Sequence, residues 1–358
     1  MSKVAIIKTN PKDVVDDYGR VMDLANYKKH LNKKFKTIIK LNLSWSLYYP
    51  ACSTEPWQLD GVLKKMDKDQ YKNIHPVENK TVVTDVWKGA KGNKWLPILK
   101  KYGLKYEPLT EVEWIKYKFK ADTLAINEVF HDGLRIPKMF VGKNVLHLPT
   151  MKTHGHTMMT GSMKNAFGGL ITKRRHHCHK QIHEVLVDLL KIQKEIHKGI
   201  FTVTDGTVAG DGAGPRTMNL KYPNLIFASN DSVAIDAVVA KIMGFDPLKI
   251  KFIKMAHDQG LGQGDIDQID IKGDINNKNI KKINLKFKTK KSPVIFFDQT
   301  LRKKYPILEP LLFHTKLFRI PIFGSAFYHD KLWYPLVGKM KIRKFNKTGW
   351  GKLFKKYK

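Results

Sequence analysis

The stretch Leu148-Pro-Thr-Met-Lys-Thr-His-Gly-His-Thr-Met-Met-Thr-Gly-Ser-Met-Lys-Asn-Ala-Phe-Gly-Gly169 decides how this chain is read. It follows Lys143 to His147, which reads as a buried strand. Small residues and hydroxyls separate Lys152, His154, His156, Lys164 and Asn165. A loop of that composition bends closely around a ligand with several polar side chains turned inward. Met163 and Phe167 are four apart and pack on one face of a helix that begins near Thr160. Lys164 and Asn165 are then left facing the Lys152-Thr-His154 loop. Strand, polar loop and helix in that order are the working piece of an α/β fold.

The same alternation recurs on the N-terminal side. Lys3 to Thr9 reads as a strand, and Pro11 with Asp13 opens a helix whose Val14, Val15, Tyr18, Val21, Met22 and Ala25 share a face. Lys36 to Leu43 is a second strand ending in Lys40-Leu-Asn42, and a loop from Ser44 to Glu55 leads to a helix that starts at Pro56. Thr81 to Val86 reads as a third strand with Thr84 and Asp85 at its end. Trp95 to Tyr102 reads as a helix closed by Gly103. Such alternation predicts right-handed crossovers and a mostly parallel sheet flanked by helices, with ligands at the carboxyl ends of the strands. Lys40 and Asn42 fall there. A lysine at a buried strand end is costly to desolvate unless it meets an anionic ligand or a salt-bridge partner. Ser53 and Thr54, just ahead of Pro56, either cap that helix or offer its free amides to an anion.

On the C-terminal side, Lys173-Arg-Arg-His-His-Cys-His179 leads into a helix with Ile182, Val185, Leu186, Leu189, Ile192 and Ile196 on one face. His179 and His183 have the four-residue spacing of paired metal ligands, and also of exposed histidines in a basic linker; His154 and His156 would complete a site. Ile200 to Val203 is the next strand. It delivers Thr204-Asp205-Gly206 and then Ala209-Gly-Asp-Gly-Ala-Gly-Pro215. In a glycine-rich loop, Asp205 and Asp211 suit a hard cation or a substrate hydroxyl, while Gly212 and Gly214 let backbone amides approach an anion. The spacing matches neither GxGxxG nor a Walker loop with GK[ST]. Leu225 to Ala228 is a further strand running into Asn230-Asp231, where Asp231 caps a helix from Val233 to Met243 that Gly244 stops. Asp236 faces the same strand ends from that helix. Lys40, Asp85, His154, Asp205 and Asn230 are therefore expected on one edge of one sheet.

Charge adds a second constraint. In 358 residues, 65 Lys+Arg against 32 Asp+Glu leave a net charge of +33, a field that draws nucleic acid, anionic lipid or phosphorylated metabolites. Lysine dominance alongside abundant Asn, Ile, Phe and Tyr is also what drift in an AT-rich genome produces, so the lysine content has two readings. Cys52 and Cys178 are too few and too distant for a disulfide framework, a thiolate zinc site or an iron–sulfur cluster, which points to a reducing cytoplasm. Met1 to Thr9 lacks the basic and apolar blocks of a signal peptide. No run of about 18 apolar residues occurs, so no transmembrane segment is expected. The expected location is cytoplasmic, with peripheral membrane contact as a variant.

Taken in order and spacing, Ile39-Lys-Leu-Asn42, Cys52-Ser-Thr-Glu-Pro56, Leu148-Pro-Thr-Met-Lys-Thr-His154, Thr160-Gly-Ser-Met-Lys-Asn-Ala-Phe-Gly168, Asp205-Gly206, Gly212-Ala-Gly-Pro215, Ser229-Asn-Asp-Ser-Val-Ala-Ile-Asp236 and Gly260-Leu-Gly262 resemble the domain-of-unknown-function family 362. The resemblance spans about residues 1–275 and implies a shared α/β fold with a common polar site, without an assigned activity. Some members carry an appended ferredoxin module with cysteine clusters. This chain, with two cysteines, departs from that pattern, and no iron–sulfur cluster ligated by it is expected.

Residues 276–358 lie outside the resemblance and form a basic, aromatic-rich extension. From Gln299 to Lys358, 15 Lys+Arg stand against Glu309 and Asp330, interleaved with Tyr305, Phe313, Phe318, Phe323, Phe327, Trp333, Tyr334, Trp350 and Phe354. Pro306 and Pro310 bracket a short apolar run. Such a composition suits a membrane-interface segment, a single-strand nucleic-acid surface, or aromatics that dock the extension on the α/β core.

Two functions are compatible with these residues. In one, the protein is a metal- or anion-dependent enzyme acting on a small carboxylate or phosphate. A divalent metal sits on His154, Asp205, Asp211, His179 and His183, and Lys152, Lys164 and Asn165 meet the substrate. Lys40, Asn42, Ser53, Thr54, Gly212, Gly214, Asp231 and Asp236 then line the same cleft for substrate or cofactor. In the other, it is a basic module for nucleic acid or an anionic membrane, and the polar site is structural. An enzyme gathers the central polar groups in one place; a binding module spreads lysine over an outer face.

Overall fold

Strand residues 4–7 and 37–40, buried on both faces, build the centre of the molecule. The computed structural model describes residues 1–81, 83–172, 175–304, 313 and 315–358. The strands are β1 (Lys3–Lys8), β2 (Thr37–Lys40), β3 (Ile74–Glu78), β4 (Glu107–Pro108), β5 (Trp114–Lys116), β6 (Arg135–Pro137), β7 (Lys143–His147), β8 (Thr150–His154), β9 (Met158–Met159), β10 (His197–Ala213), β11 (Thr217–Lys221), β12 (Leu225–Ser229) and β13 (Asp270–Gly273). Among the described residues eleven of them join one sheet in the order β13-β1-β12-β10-β7-β2-β3-β4, with β11 and β8 on the far half of β10 and β9 beside β8. β5 and β6 pair separately.

Two cores lie on the two sides of this sheet. Val4, Ile6 and Ile38 face one, packed by α3 (Ser162–Leu170), α4 (Ile182–Ile196) and α5 (Ser232–Met243). Ala5, Ile7 and Ile39 face the other, packed by α1 (Val14–Leu24) and α2 (Pro56–Lys68). Period-two burial in the strands thus fixes which helices lie on which side. The result is the α/β fold expected, with a mostly parallel sheet: β2 runs parallel to β3 and β7, and β7 to β10. Antiparallel pairing enters at β12, which runs against both β1 and β10.

Several elements differ from the sequence reading. The third strand is Ile74–Glu78, not Thr81–Val86; Asp85 instead caps the helix Val86–Gly92 by accepting from the Lys88 amide. Pro76 disguised the true strand, since prolines are rare in a ladder. It is tolerated at this margin because β4 contacts only Val77 and Glu78. The glycine-rich stretch after Asp205 is not a loop but the far half of the seventeen-residue β10. Lys152-Thr-His154 likewise lies in β8, paired to β10 and β9. Val82 of the expected strand, Lys173, Arg174, and Tyr305, Pro306, Glu309 and Pro310 of the extension fall outside the described residues.

The extension returns to the core. Trp333 packs against Trp45 and Tyr49, Tyr334 meets Trp45 edge-on, Phe354 stacks on Tyr48 and Trp350 packs on Trp57, while Asp330 accepts from Trp45 Nε1 at 2.7 Å. Docking therefore accounts for those four aromatics. Phe323 and Phe327 remain exposed. No described helix is long and apolar enough to cross a membrane.

Candidate functional site

The polar groups that converge are those of β2, β8 and α3. Lys40 ends β2 level with His147 of β7 and Thr202 of β10. Its ammonium is fully buried and binds Glu78 Oε1 at 2.7 Å and the Leu41 carbonyl at 2.6 Å, so Lys40 is a structural ion pair rather than a ligand contact. Burial pulls Lys40 down and pushes Glu78 up from their ordinary pKa values. Beside it, Asn165 Nδ2 donates to the Lys40 carbonyl (3.0 Å) and faces His147 Nδ1 (3.3 Å). The other ring nitrogen of His147 meets Gln193 Oε1 at 2.7 Å, and burial keeps the imidazole neutral, with a pKa lowered to about 3. Asn42 continues the chain. Its amide reaches Asn165 Oδ1 at 3.4 Å, and its Oδ1 accepts from Lys152 Nζ at 2.7 Å.

Lys152 is wholly buried between Asn42 and the Thr150 hydroxyl, with Cys52 and Glu55 near it. Burial brings its pKa down to about 7; Lys164 lowers it further, and Cys52, Glu55 and Asp205 oppose the shift. Lys164 lies in the first turn of α3 with its ammonium 5.5 Å from the Phe167 ring, and among the described residues it has no hydrogen bond or ion pair. Burial, then Arg175, lowers it to about 8. Lys164 is also close enough to depress His154 and His156. A helix N-terminus disfavours a bare cation, which makes an unpaired lysine there unusual.

Asp236 positions this turn. Its carboxylate accepts from the Ser162 and Met163 amides at 2.7 and 3.1 Å, an approach possible because a Cβ on Gly161 would sit 2.3 Å from Asp236 Oδ1. Burial pushes Asp236 up to about 7. It acts on the scaffold, not the ligand. Ser53 and Thr54 are scaffold as well: Thr54 Oγ1 bonds the Asn42 amide and the Leu148 carbonyl, Ser53 Oγ accepts from Ser44, and Glu55 occupies the cap position ahead of Pro56.

The remaining expected ligands disperse. Asp205 shares the edge of Lys40 but points to the opposite face of the sheet, because three steps along a strand reverse the side. There it accepts from Tyr18, Trp57 and Thr207, and burial raises it to about 6. Asp211 pairs with Lys221 at 3.5 Å and accepts from the Lys288 amide. The carbonyl of Gly212 bonds Thr153 Oγ1 and the Lys290 amide. A Cβ on Gly214 would lie 1.8 Å from the Thr153 carbonyl oxygen, so that glycine serves strand approach instead of anion binding. Asp231 and Asn230 sit at the other edge, since β12 runs against β10; Asp231 is saturated by Ser2 Oγ and the amides of Val233, Ala234 and Gln263. That edge holds a cavity of about 490 Å³ lined by Lys3, Lys29, His30, Lys194 and Asp231. Volume does not make it the site, because its one carboxylate is already spent on capping.

The histidines regroup too. His179 lies in a 3₁₀ turn (Arg175–Gln181), His183 in the first turn of α4, and they do not form a pair: His183 stacks on Phe252, whereas His179 stacks on His156 at 4.5 Å. Asp298, from the helix Pro293–Lys304, joins His156 and His179. His154 accepts the His156 amide at 3.2 Å and stands beside that group. Asp298 was not legible in the sequence because it belongs to the extension; its signal was an acid four residues before Arg302. Arg175, which binds the Ile171, Lys80 and Gly168 carbonyls, and Glu78 were missed for the same reason, distance along the chain.

A family model described as Domain of unknown function (DUF362) matches residues 37–241. A thylakoid-associated protein of Synechocystis sp. is 28% identical over 177 residues, covering 48% of this chain and 51% of that relative. The chain thus spans about half the length of the curated relative it matches. No solved structure matches it.

Proposed function

We propose that this chain, which belongs to the domain-of-unknown-function family DUF362, is an enzyme that binds a small carboxylate or phosphate at Lys164 and Lys152. The observation that carries the reading is the half-buried Lys164 ammonium, which has no counter-ion among the described residues and lies close to the fully buried Lys152. Two such cations cost desolvation and mutual repulsion, both of which an anion relieves. Lys152, with a pKa of about 7, holds or releases a proton at neutral pH, the property a general acid or base needs. Asn42 and Thr150 fix its direction.

Calorimetric titration of the full chain with inorganic phosphate and, separately, oxalate tests this. Lys164→Met is expected to weaken the bound anion by at least about tenfold, or ~1.4 kcal/mol, while exposed Lys72→Met leaves it unchanged. Affinity should fall as pH rises through 7 and 8, because Lys152 and then Lys164 lose their charge there. Equal affinities for wild type and Lys164→Met, or a fold that collapses in the variant, would remove the lysine from a ligand role.

A second reading concerns location. Along the helical run from Arg319 to Phe345, Ser325, His329 and Phe345 face the protein, whereas Ile320, Phe323, Phe327, Leu332, Leu336 and Met340 face water; Phe323 and Leu336 are each 72% exposed. Exposed Lys331, Lys339, Arg343 and Lys344 accompany them. An apolar stripe beside basic residues suits the surface of an anionic bilayer, and the name of the thylakoid-associated relative agrees with that surface. Replacing Phe323 and Leu336 together by serine should cut co-sedimentation with phosphatidylglycerol vesicles by more than about tenfold, since each buries ~2 kcal/mol of apolar side chain on insertion. Unchanged sedimentation would exclude this face.

A further inference from the structure

We propose that His156, His179 and Asp298 form a binding site for a divalent first-row transition metal, of which Zn²⁺ is the working probe. Nothing in the anion reading requires this, and the ligands are different residues, so the two proposals fail separately. His156 Nε2 and His179 Nδ1 lie 3.8 and 3.7 Å from the same oxygen, Asp298 Oδ2, and the three donor atoms are all within 4.8 Å of one another. Two imidazoles and a carboxylate bound at about 2.0–2.2 Å in tetrahedral geometry stand roughly 3.3–3.5 Å apart. The two histidine–carboxylate pairs therefore need to close by only a few tenths of an ångström, and the two imidazole nitrogens by at most about 1.5 Å.

The hydrogen bonding around the group also points to a missing partner. Asp298 Oδ2 and His179 Nδ1 are buried polar atoms with no hydrogen-bond partner among the described residues. Buried polar groups are ordinarily satisfied, so a pair of orphans that face each other beyond hydrogen-bond reach is what a shared cation leaves when it is absent from view. The other carboxylate oxygen is occupied: Arg302 Nε donates to Asp298 Oδ1 at 3.1 Å, which fixes the carboxylate with Oδ2 turned to the histidines. An outer partner of that kind is typical support for a metal ligand.

The ligand set defines the class. Two imidazoles and one carboxylate suit Zn²⁺, Fe²⁺, Co²⁺ or Ni²⁺ better than Mg²⁺ or Ca²⁺, which prefer oxygen donors, and three protein ligands leave a position open. Each ligand comes from a different segment: the β8–β9 turn, the 3₁₀ turn before α4, and the helix Pro293–Lys304 of the extension. The metal would therefore tie the extension to the core beside Lys164.

The test uses the full chain, stripped with a chelator and titrated with Zn²⁺ and Co²⁺ in the absence of any added anion. Expected are one equivalent bound at micromolar or tighter affinity and visible Co²⁺ absorption of a four- or five-coordinate site. Asp298→Asn and His179→Ala should each weaken binding by about 100-fold, and His183→Ala should not. Circular dichroism of Asp298→Asn, which keeps the side chain's shape, separates lost ligation from lost folding. Binding equal in wild type and Asp298→Asn, or no binding below about 100 µM, would overturn the site.

Discussion

Glu78→Ala should lower the unfolding free energy by about 3–5 kcal/mol in urea, the largest single loss expected anywhere in the molecule. The reason is Lys40. Its ammonium and the Glu78 carboxylate, 2.7 Å apart, have side-chain exposures of only 1% and 3%. Removing the acid strands a charge that water cannot reach. The Leu41 carbonyl is the other acceptor of that ammonium and cannot neutralise it. The variant should also show Lys40 with a lower proton affinity, so that part of the loss is recovered at high pH. Lys40→Met combined with Glu78→Leu is expected to restore most of the stability, because a buried pair and a well-packed apolar substitute are of similar worth. A loss below about 1 kcal/mol for Glu78→Ala would mean that the strand end is hydrated.

Asp205→Ala is expected to cost about 3 kcal/mol or more while leaving the metal affinity of the folded protein unchanged. The carboxylate is fully buried and accepts from Tyr18 Oη, Trp57 Nε1 at 3.1 Å, and the Thr207 amide and hydroxyl at 3.1 and 2.9 Å. Truncation leaves the fully buried Tyr18 hydroxyl without its acceptor. The pH dependence carries a sign. Because burial raises Asp205 from 3.8 to about 6, the folded state holds the proton more tightly than the unfolded chain does. Its contribution is therefore greatest below pH 4 and is lost as pH rises to about 6, by roughly 3 kcal/mol at ~1.4 kcal/mol per unit. Subtracting the stability–pH curve of Asp205→Asn, which cannot titrate, isolates that slope. If Asp205→Ala instead abolished metal binding in a protein that stays folded, the residue would belong to the site after all.

Lys40 and Asp205 show how far the sequence could be read. Both were singled out by their place at strand ends, and both lie at the expected edge. What the linear pattern could not say is which side of the sheet each faces, since that depends on a strand register and on how far a strand continues. The glycines after Asp205 suggested a loop, and only the neighbours β8 and β11 make a strand of them. Lys152, Lys164 and Asn165 were legible because one short stretch carries them all. Glu78 and Asp298 were not: each meets its partner across a long interval of chain, 38 residues in the first case. Contacts of that kind leave no local signature, so a sequence names cations more readily than the acids that answer them.

The position of β1 bears on how the chain must be made. Its two neighbours in the sheet are β12 and β13, residues Leu225–Ser229 and Asp270–Gly273, and among the described residues no earlier strand pairs with it. A nascent chain leaving the ribosome at 5–20 residues per second therefore carries Val4, Ala5, Ile6 and Ile7 uncovered for roughly ten to fifty seconds before either partner exists. During that wait the strand is a sticky edge, and its two flanking lysines, Lys3 and Lys8, are the only local guard against pairing with another chain. Folding has to close from the middle outward, with β1, made before both of its partners, among the last strands to be seated.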